Sequence, residues 1–427
     1  MEKKAKIVEE VQITEKERIE KINNIFDFKE EIEKSKNESI SEIVQILLGG
    51  AINLDASDLH FEPREKDCRV RIRLDGVLHD VLALEKEVYE KLLSRLKLLS
   101  GIKLNITDRP QDGRFTVLLN NLEIEIRAST LPSKYGETFV MRILNPKNLL
   151  FLEELGLREE LLEIVKREIK KPNGMIIVTG PTGSGKTTTL YACLRKVNKP
   201  ELKIITIEDP IEYRLEGIEQ TQVDPEHGYD FANGLRAIVR QDPDIILVGE
   251  IRDSETAKIA IQAALTGHLV FTTLHTNDAA GTIVRLQALG ESPVNIAPAI
   301  NLAIAQRLVR RVCKKCVKFE KPTEEEREKI KKSFAKIKKK MPPFEKIPRA
   351  KGCKDCNFTG YRGRIGIFEA FLVDDEMEKF ILKSPSVAQL REKAIEKGMV
   401  PMYQDGLLKV IEGMTTIEEV ERVASQI

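Results

Sequence analysis

The stretch that most limits what this chain can fold into is Gly180-Pro181-Thr182-Gly183-Ser184-Gly185-Lys186-Thr187. It matches G-x-x-x-x-G-K-T in the context that pattern requires: the apolar run Met175-Ile176-Ile177-Val178 leads in, and a helical stretch from Thr188 to Val197 leads out. Glycines let backbone N–H groups curl around a phosphate, and the helix N-terminus adds positive potential. Lys186 is then placed for the β and γ oxygens and the Thr187 hydroxyl for Mg²⁺, so the nucleotide-binding stretch runs from Gly180 to Thr188. Strands and helices alternate around it. Lys203 to Ile207, Asp244 to Val248 and Leu269 to Thr273 are short apolar runs separated by helical segments, the pattern of a parallel sheet covered on both faces.

A phosphate cradle needs an acid to hold the metal and a group to orient water. Asp244-Ile245-Ile246-Leu247-Val248-Gly249-Glu250 delivers Glu250 at the C-terminal end of a strand, where ligands sit in open α/β sheets, and suits it to holding Mg²⁺ through water. Ile204-Ile205-Thr206-Ile207 ends in Glu208-Asp209-Pro210, followed by Glu212, and Glu208 is the candidate to polarise the attacking water. Alone, an acid after a strand reads as a helix cap; beside the phosphate loop it reads as catalytic. His268 and His275 bracket the run Leu269 to Leu274. A structural role is the plain reading for both, while His275, at the C-terminal edge, is also placed to hydrogen-bond a γ-phosphate.

With 427 residues, the chain has room for two to four domains, each with its own core. Its 69 Lys and Arg balance 68 Asp and Glu, which excludes a global pull toward nucleic acid or membrane. The longest stretch free of those four residue types, Ile259 to Asn277, contains His268, His275, Gly267 and several Thr, and fails as a membrane span. The N-terminus has no apolar core followed by a small-residue cleavage site, so the expected compartment is the cytoplasm. In that reducing setting the six cysteines matter by spacing. Cys313/Cys316 and Cys353/Cys356 form two Cys-x-x-Cys pairs with 36 residues between them; four thiolates make a closed tetrahedral Zn²⁺ site, with each pair one knuckle. A redox pair is the alternative, and duplication of the motif argues against it. Cys68 and Cys193 read as small buried hydrophobes. From Cys313 to Cys356 there are 16 Lys or Arg against 7 acids, read as a solvated helix face, then as a contact for anionic lipid or an acidic partner, and last for nucleic acid.

The expected organisation is a charged, mobile, partly helical arm over 1–40; an α+β domain over 41–145, opened by a helix that Ser41 caps and containing strands such as Cys68 to Leu74 and Leu122 to Arg127; and a joint over 146–157. An α/β core follows over 158–312, then a metal-binding segment over 313–357 and a helical part over 358–427, with helices at Ser386 to Glu396 and Ile417 to Ser425.

Taken together, from about Ser41 on, these residues resemble the secretion ATPase superfamily, specifically the assembly (extension-type) motors of type II secretion and type IV pili. Gly180 to Thr187 is similar to its Walker A, Ile207 to Tyr213 to its aspartate box, Leu247 to Asp253 to its Walker B, and Thr266 to His275 to its histidine box. The tetracysteine element resembles the metal-binding subdomain that the retraction motors lack. Ala56 to Pro63 and Pro110 to Arg114 resemble the family's PAS-like domain, in which arginines of two successive strands reach the nucleotide; the matching positions are Arg127 and Arg142, which sequence alone reads as ordinary strand arginines. The resemblance implies a RecA-like ATPase core using ATP, Mg²⁺ and Zn²⁺. It further implies a homohexameric ring, peripheral at the inner membrane, working on a platform protein there, with a cytoplasmic adaptor as a further candidate partner. Longer members carry an additional N-terminal docking domain, in whose place residues 1–40 stand. Two other readings compete: a DNA-translocating or DNA-uptake motor of the same broad fold, and a low-turnover nucleotide-gated scaffold, against which Glu208 and Glu250 speak.

Overall fold

The structure, a computed structural model, describes residues 10–335 and 337–424, in two compact units: 1–148 with 351–362, and 149–350 with 363–427. Residues 1–9 of the expected arm and Ser425 of the last expected helix lie outside the described residues. Among the described residues, no helix is long and apolar enough to cross a membrane.

The first unit runs β1 (Glu10–Gln12), α1 (Lys16–Ile19), α2 (Ile25–Lys34), α3 (Ile40–Asn53), β2 (Asp58–Pro63), β3 (Asp67–Leu74), β4 (Val77–Glu85), α4 (Lys86–Leu99), β5 (Gln111–Leu119), β6 (Leu122–Ser133) and β7 (Gly136–Leu144). Its described strands form one seven-stranded sheet in the order β1-β5-β6-β7-β2-β3-β4. The strands alternate, as a sheet with one buried face must. Phe61, Phe115, Ile126 and Phe139 point into the core with Leu47 and Leu48 of α3, and the residues between them and their core neighbours are mostly polar. The segment expected to be a mobile arm is folded in its described part: Ile22, Phe28 and Ile32 are fully buried in this core, so the helical spacing of its apolar residues outweighs its charge. The cap of α3 is Ser39, not Ser41. Ser39 Oγ accepts from the Glu42 N–H while the Glu42 carboxylate accepts from the Ser39 N–H, a reciprocal pair that starts the helix earlier and contributes about 1 kcal/mol.

The second unit runs α5 (Glu159–Glu168), β8 (Gly174–Thr179), α6 (Lys186–Val197), β9 (Ile204–Glu208), β10 (Glu219–Gln222), α7 (Phe231–Val239), β11 (Ile245–Val248), α8 (Ser254–Leu265), β12 (Leu269–Leu274), α9 (Gly281–Ala288), α10 (Pro293–Ala299), β13 (Ile300–Val312), β14 (Lys318–Glu320), α11 (Glu324–Phe334) and β15 (Ile347–Arg349). After these come β16 (Tyr361–Leu372), α12 (Asp375–Ile381), α13 (Val387–Glu396), α14 (Met402–Ile411) and α15 (Ile417–Val423). The large sheet has the order β10-β9-β11-β12-β8-β13-β16, and from β10 to β13 each neighbouring pair is parallel. Each face has its own core. Met175 and Ile177 of β8 pack into one, Ile176 and Val178 into the other, which is why this strand reads as an unbroken apolar run. Two strands extend the sheet beyond the apolar runs. Gln306, Arg307, Arg310 and Arg311 disguise β13 in the sequence, and Gly363 and Gly366 disguise β16, so the C-terminal part turns helical at Asp375 and not directly after Phe358.

Candidate nucleotide site and metal centre

The loop from β8 to α6 turns on glycines. Gly180, Gly183 and Gly185 have φ of +150°, +77° and +88°, and a Cβ on Gly180 would come within 2.6 Å of both the Gln306 carbonyl oxygen and Ser184 Oγ. Lys186, the first residue of α6, folds back so that its Nζ donates to the carbonyls of Gly180 (2.9 Å) and Pro181 (3.2 Å). Burial holds this ammonium below its ordinary range; the Glu250 carboxylate opposes that shift and the Arg307 guanidinium reinforces it. A cation so placed gains from an arriving anion. Thr187 and Thr188 follow, half-buried, in the first turn of α6, while Pro181 and Thr182 are exposed at the tip of the loop.

Sequence reasoning missed the residue that holds this loop. Gln306 on β13, 1 % exposed, donates from Nε2 to the Ser184 carbonyl (2.6 Å) and accepts at Oε1 from Thr189 Oγ1 (2.8 Å), fixing loop and helix to one strand. Next to it, Arg307 donates to the carbonyls of Gln306 (3.0 Å) and Asn277 (2.9 Å), and burial lowers its pKa. The only sequence trace is a polar pair closing the apolar run Leu302 to Ala305.

Both acids sit at C-terminal strand ends, on the same edge as the loop. Glu250 follows β11, and its side chain, 12 % exposed, pairs with Arg252 (2.5 Å) and with His275 Nε2 (3.2 Å). His275 follows β12 and is half exposed, so the structure brings Lys186, Glu250 and His275 to one place. Around them Thr273 Oγ1 donates to the Gly249 carbonyl (2.7 Å), and the Thr276 N–H donates to Thr179 Oγ1 (2.8 Å), tying β12 to β11 and β8. His268 takes the structural role, its Nδ1 3.0 Å from the Ala263 carbonyl. Glu208, 3 % exposed at the end of β9, accepts from Thr206 Oγ1 (2.6 Å), Gln220 Nε2 (3.2 Å) and the Tyr191 hydroxyl. Burial raises its pKa, and those donated bonds oppose the shift. A buried carboxylate with a raised pKa is chemically a stronger base, and its oxygens are committed until one donor gives way. Arg127 and Arg142 lie opposite each other on β6 and β7 of the first unit; Arg142 Nε donates to Asp58 Oδ1 (3.1 Å), and Arg127 Nε lies 3.4 Å from Glu125 Oε1.

Cys313, Cys316, Cys353 and Cys356 place their sulfurs within 4.8 Å of one another. Cys353 and Cys356 Sγ are 3.8 Å apart, the edge of a tetrahedron with bonds of about 2.3 Å, the length of Zn–S. The N–H groups of Cys353 (3.2 Å) and Gly360 (3.3 Å) donate to Cys356 Sγ, bonds that favour a thiolate. Protein purified without chelators is expected to carry about one zinc per chain by elemental analysis, and Cys356→Ser to lower the melting temperature while ATP turnover persists, because a closed four-sulfur site offers no open position. Metal-free protein with an unaltered melting temperature in the variant would rule the site out.

Comparison with known proteins matches residues 33–422 to the family model "Type II/IV secretion system protein". The chain is 46% identical over 399 residues to type II secretion system ATPase E of Vibrio cholerae, covering 92% of this chain and 77% of that protein. It is 44% identical to the type IV pilus assembly ATPase PilB of Thermus thermophilus, covering 89% of this chain but 42% of the longer relative. Among solved structures, the pilus retraction motor PilT with bound ADP superposes with a TM-score of 0.60 at 25% identity, covering 89% of this chain and 96% of that one.

Proposed function

The chain belongs to the type II/IV secretion system protein family, and from that premise we propose that it is a motor ATPase, driving assembly of a pseudopilus or type IV pilus. The observation that carries the reading is the convergence of the Lys186 ammonium, Glu250 and His275 on the C-terminal edge of a parallel sheet, beside a loop in which three glycines adopt positive φ. In this reading residues Gly180 to Thr188 hold the phosphates, Lys186 meets the β and γ oxygens, and Thr187 and Glu250 hold Mg²⁺. When bound, that ion neutralises charge on the transferring phosphoryl group. Glu208 takes a proton from the attacking water, and His275 hydrogen-bonds the γ-phosphate. Arg127 and Arg142 supply charge to the same phosphate, and the four cysteines hold a structural zinc that takes no part in the chemistry. The working form is a homohexamer, peripheral at the inner membrane, that acts on a platform protein there, with an adaptor as second partner.

The assembled ring is testable through its arginines. ATPase activity per chain is expected to rise with protein concentration as the chain oligomerises, and Arg142→Ala to lower turnover by roughly 10³-fold with the fold retained, since a guanidinium on the γ-phosphate is worth that much. Arg127→Ala should fall in the same direction by a smaller factor. Specific activity that is flat with concentration, together with two fully active variants, would remove both the ring and the arginines from catalysis.

A further inference from the structure

One cross-strand row on the polar face of the first unit's sheet holds more arginines than carboxylates. Strand register sets Arg114 on β5 opposite Arg127 on β6, Arg127 opposite Arg142 on β7, Arg142 opposite Asp58 on β2, and Asp58 opposite Arg73 on β3. Directly opposed residues share a face, and the chain neighbours Phe115, Ile126, Met141, Leu59 and Ile72 are buried in the core, so this row stands on the other side. Four guanidiniums thus meet one carboxylate within the row, although like charges directly opposite each other destabilise a sheet.

Asp58 relieves one end of the row. It pairs with Arg142 (3.1 Å) and Arg73 (3.3 Å). At the other end Glu125 is 3.4 Å from Arg127. Arg114 is exposed, and its guanidinium has no hydrogen bond or ion pair among the described residues. A cation left exposed and unpaired beside two others is placed for an external anion. Adjacent strands are about 4.8 Å apart, so the backbones carrying Arg114 and Arg142 are about 10 Å apart, and long side chains from the three positions can converge on one group of phosphate oxygens. The planar fork of each suits bidentate bonds to phosphate.

We propose that Arg114 is a third phosphate-binding arginine, acting with Arg127 and Arg142 on the triphosphate of ATP. This rests on the reading of Arg127 and Arg142 given above and adds a residue to it. Arg73, neutralised by Asp58 and donating to the Gly76 carbonyl (3.1 Å), holds the row's carboxylate and takes no part in binding.

The test uses the full chain as wild type, Arg114→Ala, Arg114→Lys, Arg127→Ala and Arg142→Ala, with steady-state ATPase, affinity for a non-hydrolysable ATP analogue, and oligomeric state by sedimentation. Arg114→Ala should lower kcat/KM about tenfold or more and weaken analogue binding, with sedimentation and melting temperature unchanged; Arg114→Lys should recover only part, because a point charge lacks the fork. Wild-type kinetics and analogue affinity in Arg114→Ala, with Arg142→Ala crippled, would overturn the inference and leave the reading of Arg142 standing. Full activity in both Arg127→Ala and Arg142→Ala would overturn that reading and the inference with it. Unchanged nucleotide kinetics in Arg114→Ala combined with lost binding to phosphatidylserine–phosphatidylcholine vesicles would overturn it in favour of a lipid headgroup.

Discussion

Lys186→Ala is expected to abolish Mg²⁺-dependent ATP hydrolysis, with a loss on the order of 10³-fold or more in turnover. Nζ is the one side-chain cation that the first turn of α6 places over the loop, where it spends its hydrogen bonds on the Gly180 and Pro181 carbonyls. Its burial makes the charge costly without a phosphate and valuable with one, since electrostatic stabilisation strengthens where water is excluded. Backbone N–H groups of the loop remain in the variant, but they do not carry a full charge to the transferring group. The loop itself should persist, because Gln306 holds it through Ser184 and Thr189, not through Lys186. Phosphate release by the purified variant at saturating ATP is the measurement. Turnover close to wild type would remove Lys186 from the chemistry.

The second large effect separates the two acids by step. Glu208→Gln should retain nucleotide binding and lose about 10²- to 10⁴-fold in turnover, the range for a positioned general base. Glu250→Gln should in addition weaken the Mg²⁺-dependent part of binding. The pH profile gives the first assignment its sign. A base works deprotonated, so activity falls as pH drops through its pKa, and burial raises that of Glu208; the acid limb of wild type should therefore lie above the ordinary carboxylate range and vanish in the residual activity of Glu208→Gln. Burial of the charged form also opposes folding at neutral pH, so the glutamine variant should melt no lower than wild type. Two variants that lose affinity equally, and as much as Lys186→Ala, would contradict this division.

What the sequence disclosed follows from the range of the interactions involved. The loop, the entry of α6 and the apolar strands are set by neighbours within a turn or two, and Gly180 to Thr187, Glu250 and the Cys-x-x-Cys pairs were legible for that reason. Gln306 was not, because its role depends on β13 lying beside β8, a pairing between residues more than a hundred positions apart. The row of Arg114, Arg127 and Arg142 has no signature along the chain either, since register across three strands creates it. The commitment of Glu208 to Tyr191 and Gln220 is of the same kind. In residues 10–37, abundant charge masked Ile22, Phe28 and Ile32, whose buried partners on α3 are set by the fold and not by their neighbours along the chain.

The central claim, that this fold turns over ATP and does more than bind it, is tested most directly by steady-state phosphate release from ATP by the purified full chain, with Mg²⁺ and with the metal chelated. The account predicts release that continues through many turnovers per chain with Mg²⁺ and stops when the metal is removed. Tight ATP binding accompanied by no release beyond a single turnover, at concentrations where the chain is oligomeric, would contradict it and make the protein a nucleotide-gated scaffold.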